Sequence, residues 1–267
     1  MTATLDQIIA ATRKRLAKQR RAADVRALER LAAGHQPRGF RQGLASVATK
    51  GVAVIAELKK ASPSKGLIRA EFHPASLARE LAEAGAAALS ILTEPEFFQG
   101  SLENLRIASE ASNLPCLRKD FIVDESQIVE ARANSADAVL LIVAALSQEE
   151  LQRFAARARE QGLDVLCEVH NEDELQRALD AGCDLIGVNA RNLRTFAVDL
   201  NTVFRVAKKL PQGILAVAES GISSPSDVME LRSAGYEAFL IGESLMQAAF
   251  PGSALRRLLG AAAVPSG

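Results

Sequence analysis

Ala138-Val139-Leu140-Leu141-Ile142-Val143-Ala144-Ala145-Leu146 is the longest apolar run in this chain of 267 residues, and its length decides the fold. Nine residues are too few to cross a membrane, which needs roughly 18. A run this short and rich in Val, Ile and Leu suits a strand buried on both faces, as in a parallel sheet. The amphipathic stretch Gln148–Gln161 follows it. The same pairing recurs in both directions along the chain. The runs are Val52–Leu58, Ala87–Thr93, Leu114–Asp120, Ala138–Ala144, Leu163–Val169, Leu185–Arg191, Leu215–Ser220 and Ala238–Glu243, with helical segments such as Pro74–Ala84 and Ser226–Ser233 between them.

The junctions from helix to strand also repeat: Ala84-Gly85-Ala86, Ala181-Gly182-Cys183 and Ala234-Gly235-Tyr236. A glycine just past a helix takes the left-handed conformation that ends it. Asn134-Ser135 stands at the equivalent place before the fourth strand, where Asn134 is the residue expected to adopt it. Eight strand–helix units over residues 51–267 indicate a single α/β domain, a (β/α)8 TIM barrel. The open doubly wound sheet is the structural alternative, but no G-x-G-x-x-G follows the first strand. Residues 1–50 form a helical extension, read as two short amphipathic helices.

Charge is zero overall and unevenly spread. Residues 1–50 hold eleven Lys and Arg against three acids, a net +8, and the remainder carries −8. A nucleic-acid arm would need stacking aromatics, and only Phe40 is there, so no nucleic acid is expected. A solvated helical face and a positive cap that attracts an anionic substrate are the remaining readings. Hydrophobic residues make up 48% and charged residues 24%, which excludes a disordered chain or a fibre. No membrane segment or signal peptide is expected. Cys116, Cys167 and Cys183 lack paired metal spacing and suit a reducing cytoplasm. His35, His73 and His170 share no spacing either, so neither a metal nor histidine catalysis is expected. His170 in particular is expected to point outward, away from Glu168.

The active site of a TIM barrel lies at the C-terminal ends of its strands. Those ends carry Glu57 and Lys59 on strand one, Lys119 on strand three and Glu168 on strand five, then Asn189 and Arg191 on strand six and Glu219 on strand seven. Alternation puts Glu57 and Lys59 on one side, and likewise Asn189 and Arg191. Five apolar strands ending in charge or amide point to one mixed cluster, because buried charge is costly without a purpose. Lysine beside carboxylates suits acid–base catalysis on a carbonyl, or a Schiff base. Glu219-Ser220-Gly221 and Gly242-Glu243 place glycine after strands seven and eight, the usual phosphate loops of this fold; tight turns are the other reading. Ala61-Ser62-Pro63-Ser64-Lys65-Gly66 reads as a flexible polar loop with the makings of a lid. Phe97, Phe98 and Phe121 share a rim, as a wall for a flat ring or as core packing.

The stretch from Ile55 to Gly66 closely resembles the signature of the indole-3-glycerol-phosphate synthase family. The resemblance runs on through Leu117-Arg118-Lys119-Asp120-Phe121, Cys167-Glu168-Val169-His170, Asn189-Ala190-Arg191-Asn192-Leu193, Glu219-Ser220-Gly221-Ile222 and Leu240-Ile241-Gly242-Glu243-Ser244. It implies a cofactor-free lyase of tryptophan biosynthesis, with residues 1–50 as a basic extension packed over the barrel mouth. The reaction closes the ring of 1-(2-carboxyphenylamino)-1-deoxyribulose 5-phosphate, giving indole-3-glycerol phosphate, carbon dioxide and water. By resemblance Lys119 is the general acid, Lys59 binds the anthranilate carboxylate, Glu168 manages proton transfer, Glu57 holds the lysines and Asn189 binds the sugar. Glu219 is carried over without a settled role. Phosphate would sit on N–H groups of Ser220, Gly221, Gly242 and Glu243 with Arg191, while Ser62 supports the anthranilate end. Pro63, Phe98, Phe121, Leu140, Leu193 and Leu240 match the family's apolar wall. The implied partner is a small phosphorylated substrate, met by a monomer with at most weak association with other enzymes of the pathway. Two positions depart from the family: Ala190 replaces a second asparagine, and Glu243 is an acid beside a phosphate, so its side chain is expected to turn away. Phosphoribosylanthranilate isomerase and a non-catalytic ligand-binding barrel are the competing readings; two lysines in the cluster speak against the first, the intact cluster against the second.

Overall fold

The computed structural model describes residues 3–19, 25–193 and 195–262. Arg20, Arg21 and Asp24 of the basic segment, and Arg194, lie outside the described residues. The strands β1 (Ala53–Leu58), β2 (Ala88–Leu92), β3 (Cys116–Lys119), β4 (Ala138–Ile142), β5 (Asp164–Val169), β6 (Leu185–Asn189), β7 (Leu215–Glu219) and β8 (Ala238–Ile241) close into a barrel. Each pairs in parallel with its neighbours in sequence, and β8 pairs back to β1. This is the eight-stranded (β/α)8 barrel expected from the repeated runs.

Two apolar layers follow from the alternation of side chains. Ile55, Leu117, Leu140, Leu166, Leu215 and Val217 point inward and fill the barrel. Val54, Leu58, Leu89, Val139, Ile186 and Phe239 point outward and pack against the helices. Those helices are α4 (Pro74–Glu83), α5 (Leu102–Ala111), α6 (Ser126–Ala133), α7 (Gln148–Glu160), α8 (Glu172–Asp180), α9 (Leu200–Ala207), α10 (Pro225–Ser233), α11 (Glu243–Gln247) and α12 (Pro251–Ala262). Local chemistry starts them. Ser147 with Glu150 opens α7 and Ser224 with Asp227 opens α10, each as a reciprocal capping box. The left-handed exits stand at Gly85, Gly182 and Gly235 as expected. At the fourth junction Ser135, not Asn134, takes that conformation, with φ 65° against −107°. Asn134 instead donates from its side chain to the carbonyl of Glu130, which holds it one residue short of the turn.

Among the described residues three helices rather than two precede β1: α1 (Leu5–Gln19), α2 (Val25–Gly34) and α3 (Phe40–Ala48). They do not all lie over the mouth. α1 reaches it, with the N–H of Leu5 donating to the carbonyl of Leu193 and Arg15 pairing with the buried Glu94. α2 packs along α6 on the outside. α3 closes the opposite end, where the buried Phe40 and Leu44 join the inward layer. Aspartates at the strand starts hold it there. Arg38 pairs with Asp137, and Asp137 also accepts from the N–H of Cys116. The N–H of Arg41 donates to Asp164 at 2.9 Å and its guanidinium pairs with Asp184 at 2.9 Å. Among the described residues, no helix is long and apolar enough to cross a membrane.

The floor and the mouth are thus held by different parts of the extension, and they separate experimentally. Phe40→Ala is expected to lower the unfolding free energy by about 3–5 kcal/mol, the usual cost of emptying a fully buried aromatic site, measured by urea denaturation. Deleting residues 1–19 leaves the floor intact, so the barrel should still unfold cooperatively, with the loss appearing in substrate KM.

Candidate active site

The catalytic, phosphate-binding and apolar-wall residues expected from the sequence line one cavity of about 460 Å³ at the C-terminal mouth of the barrel; Phe97, expected on the same rim, packs against the inward layer instead. That volume suits a small organic ligand. The charge lies at its base. Lys119 ends β3 pointing inward, and its Nζ stands 3.0 Å from Glu168 Oε2 and 3.3 Å from Glu219 Oε2. Lys59 Nζ stands 2.7 Å from Glu57 Oε1. Each lysine therefore sits against carboxylates that are themselves nearly inaccessible to water.

Small residues make this crowding possible. Gly187 faces inward on β6, where a Cβ would collide with the Glu219 carboxylate. Gly242, after β8, lies under the Glu57 carboxylate in the same way. Lys119 is fixed from behind as well. Its neighbours Arg118 and Asp120 point outward and pair at 2.9 Å; Arg118 also reaches Glu130, and Asp120 accepts from the Thr93 hydroxyl at 2.7 Å.

Burial shapes the proton affinities, and neighbouring charges decide the outcome. Burial alone would neutralise the Lys119 ammonium, but Glu168, Glu219 and Glu57 outweigh it and raise its pKa well above the usual lysine value. Burial likewise opposes the Glu168 carboxylate, yet Lys119 and His170 hold it far below the usual carboxylate range. Glu219 goes the other way. Its burial is only partly offset by Lys119 and is reinforced by Glu168 and Glu57, so its pKa is pushed up to about 8. Of the carboxylates near the Lys119 ammonium, Glu219 is the one whose ionisation it does not secure.

The upper wall is apolar. Phe98 and Phe121 lie with ring centroids 6.0 Å apart, beside Pro63, Leu140, Leu193 and Leu240. Glu94 shapes this rim by accepting from the N–H groups of Glu96, Phe97 and Phe98. On the far side Asn189 Oδ1 accepts from the N–H of Arg191 at 2.9 Å. Ser220 and Gly221, after β7, both take positive φ, 68° and 76°.

The structure departs from expectation at three places. The segment after β1 is a small antiparallel hairpin, Ala61–Ser62 against Gly66–Leu67, with the Ser62 hydroxyl accepting from the N–H of Lys65. The Glu243 side chain does not turn away: its carboxylate stands 3.3 Å from Arg191 and 3.4 Å from Lys65, taking up the two cations of that wall. His170 does not point outward. Residues 168 and 170 have the same parity, so alternation itself puts them on one side, and His170 Nε2 is 3.4 Å from Glu168 Oε1. Sequence reasoning also missed Phe196 and Val198, which line the cavity from a loop pinned by the bridge between Arg191 and Val198. Their two-residue spacing beside Leu193 was the available signal.

Comparison with known proteins supplies the context. The family profile described as "Indole-3-glycerol phosphate synthase" matches residues 5–258. A curated relative of that name from Koribacter versatilis (strain Ellin345) is 59% identical over 260 residues, covering 97% of this chain and 100% of the relative. Another from Acinetobacter baumannii (strain SDF) is 51% identical over 246 residues, covering 91% of this chain and 89% of the relative. A solved thiamine phosphate pyrophosphorylase from Pyrococcus furiosus superposes with a TM-score of 0.61 at 17% identity, over 81% of this chain and 97% of that one, and shares the fold.

The raised affinity of Glu219 has a sign that can be tested. Its folded value lies above the ordinary 4.5, so ionisation opposes folding, and stability falls as pH rises from about 4.5 to about 8. Glu219→Gln removes that cost. Relative to wild type, its Tm should gain at about pH 9 compared with about pH 5 by roughly 3 °C or more, the shift of ~1 kcal/mol in a chain of this size. Thermal unfolding at the two pH values reads it.

Proposed function

We infer the division of labour in this cavity from one premise: the chain belongs to the indole-3-glycerol phosphate synthase family. The activity is that of a carbon–carbon lyase of tryptophan biosynthesis. It closes the ring of 1-(2-carboxyphenylamino)-1-deoxyribulose 5-phosphate and releases carbon dioxide and water.

The observation that carries the assignment of roles is the Lys119 ammonium held between Glu168 and Glu219 at the base of the cavity. The ring carbon that bears the carboxylate bonds to the ketose carbonyl carbon, and the carbonyl oxygen takes a proton from Lys119. A fixed ammonium in a water-poor site stabilises the oxygen as its charge develops. Carbon dioxide then leaves, and its bonding pair restores the aromatic ring. The new hydroxyl departs as water with a proton from a lysine ammonium, and Glu168, kept ionised, takes the proton from the carbon next to nitrogen.

Lys59 meets the anthranilate carboxylate before it is lost and shares the acid role, with Glu57 holding it in place at 2.7 Å. The Phe98, Phe121 and Leu140 wall packs on the anthranilate ring, with Ser62 and Pro63 at its edge. Because Asn189 Oδ1 is taken by the N–H of Arg191, its NH2 is the end left for a sugar hydroxyl. The phosphate takes the Arg191 corner, among the N–H groups of Ser220, Gly221, Gly242 and Glu243. Glu243 occupies the cations there in the free chain and releases them as phosphate enters. The reading extends to a monomer in the cytoplasm; three buried free cysteines support a reducing compartment.

Lys119→Met tests the assignment. Loss of a positioned general acid costs about 10²–10⁴ in rate, and kcat for the fluorescent indole product should fall by at least that much while circular dichroism stays unchanged. Near wild-type kcat would remove Lys119 from the mechanism.

A pair of variants tests the inward and outward faces of β6. Ala190 follows Asn189 and packs into the outer layer, buried against the helices. Ala190→Asn should change kcat/KM less than about threefold, whereas Asn189→Ala should lower it about tenfold or more, equivalent to ~1.4 kcal/mol of transition-state binding. A tenfold gain from Ala190→Asn would reverse the assignment of both faces.

A further inference from the structure

His170 has no part in the steps above and does not line the cavity, yet it stands directly against Glu168, which does. Its ring lies between two carboxylates. Nδ1 is 3.0 Å from Glu174 Oε2, in the first turn of α8, and Nε2 is 3.4 Å from Glu168 Oε1. Glu174 cannot swing away. The same oxygen accepts from the N–H of His170 at 2.8 Å, and its other oxygen accepts from Asn171 at 3.0 Å. The inner contact is an ion pair. Glu168 Oε1 and His170 Nε2 are both shut off from solvent, and neither has a hydrogen-bond partner among the described residues, so charge is what each offers the other.

This arrangement suits only one form of the ring. A neutral imidazole has one N–H and would turn a lone pair toward one of the two carboxylates; an imidazolium offers a donor to each. We propose that His170 is a positioning residue for the reaction: as an imidazolium bridging Glu174 to Glu168, it fixes the orientation of Glu168 and sustains its negative charge. With Oε1 held by His170, Oε2 is left toward Lys119 and the substrate, 3.0 Å from the ammonium.

Every charged group around the pair fits this balance. Lys119 on β3 faces Glu168, and Glu219 on β7 and Glu57 on β1 share that ammonium. Glu174 on α8 faces His170, while Arg177 of the same helix is turned to the carbonyls of Val143 and Leu146. Burial would lower the His170 pKa, but Glu168 and Glu174 outweigh it and lift it to about 10. The ring therefore stays charged through the neutral range. A carboxylate that must accept a proton late in the reaction is kept empty of protons until then, by a cation that never touches the substrate.

The proposal rests on Glu168 being the base, and its test separates the two ideas. The pH profile of the single-turnover rate is measured on the full chain for wild type, His170→Asn and Glu174→Gln. In His170→Asn the acidic limb, set by ionisation of Glu168, should move up by about one pH unit or more, because a neighbouring cation has been removed. KM should hold within about twofold, since binding contacts are intact. Glu174→Gln keeps the hydrogen-bonding shape and should shift the limb the same way by less. The ring nitrogen shifts of His170 are followed by NMR in the unliganded wild type, where an imidazolium is expected at about pH 8. Acidic limbs unmoved in both variants would overturn the proposal, and so would a neutral ring at about pH 8. Should His170→Asn fail to fold, Glu174→Gln and the wild-type NMR titration still decide. Undiminished turnover in Glu168→Gln would instead sink the base assignment, a result the NMR reading does not depend on.

Discussion

The mouth of the barrel is organised around a buried ammonium. Lys119 cannot stay charged among apolar strands without compensation, and the carboxylates around it cannot stay charged without Lys119. This mutual requirement explains features that look unrelated. β6 carries a glycine at Gly187 where its neighbours carry bulk, because the Glu219 carboxylate needs that space. Arg118 and Asp120 form a buried outward pair on either side of Lys119, which fixes the register that delivers the ammonium inward. One of the three acids, Glu219, gives up its charge in the neutral range, because burial and the neighbouring Glu168 and Glu57 outweigh what Lys119 returns to it.

The same fold with a different lining would serve another purpose. The Pyrococcus furiosus barrel superposes over most of this chain at 17% identity, so the strands and helices alone say little about chemistry. What is particular here lies in the top layer of inward side chains and in the loops above it. Those loops are ordered by their own polar contacts, such as the Glu94 carboxylate under the Phe97 and Phe98 backbone.

The barrel was legible in the sequence because its signal is periodic and local. Eight runs fall within a few residues of the eight strands, since a strand buried on both faces has little choice of composition. The charged mouth was legible for a related reason: a Lys or Glu closing an apolar strand stands out. Contacts between segments far apart in sequence were not. Nothing local in Phe40 or Arg38 says that they close the far end of the barrel, because Asp137 is 99 residues away from Arg38. Glu243 looked unwelcome beside a phosphate only because its partners, Arg191 and Lys65, come from other loops. His170 is different: its parity with Glu168 is plain in the sequence, and the expectation of an outward ring runs against it.

The extension touches both ends of the barrel, and this has a consequence for the order of assembly. Its anchor points are Asp137, Asp164, Asp184 and the carbonyl of Gly213 below, and Glu94, Glu150 and Leu193 above. None of these exists when residues 3–48 leave the ribosome, and synthesis delivers the chain from its N-terminus. This segment, made before the barrel, is therefore among the last to find its place, after strands from the middle and the second half have come together. Such non-local contacts slow folding. They also mean that α1 and α3 can dock fully only on a barrel that already has its middle strands in register. The segment that reaches the mouth thus acts as a latch that fastens on an assembled barrel and finds little to hold on an incomplete one.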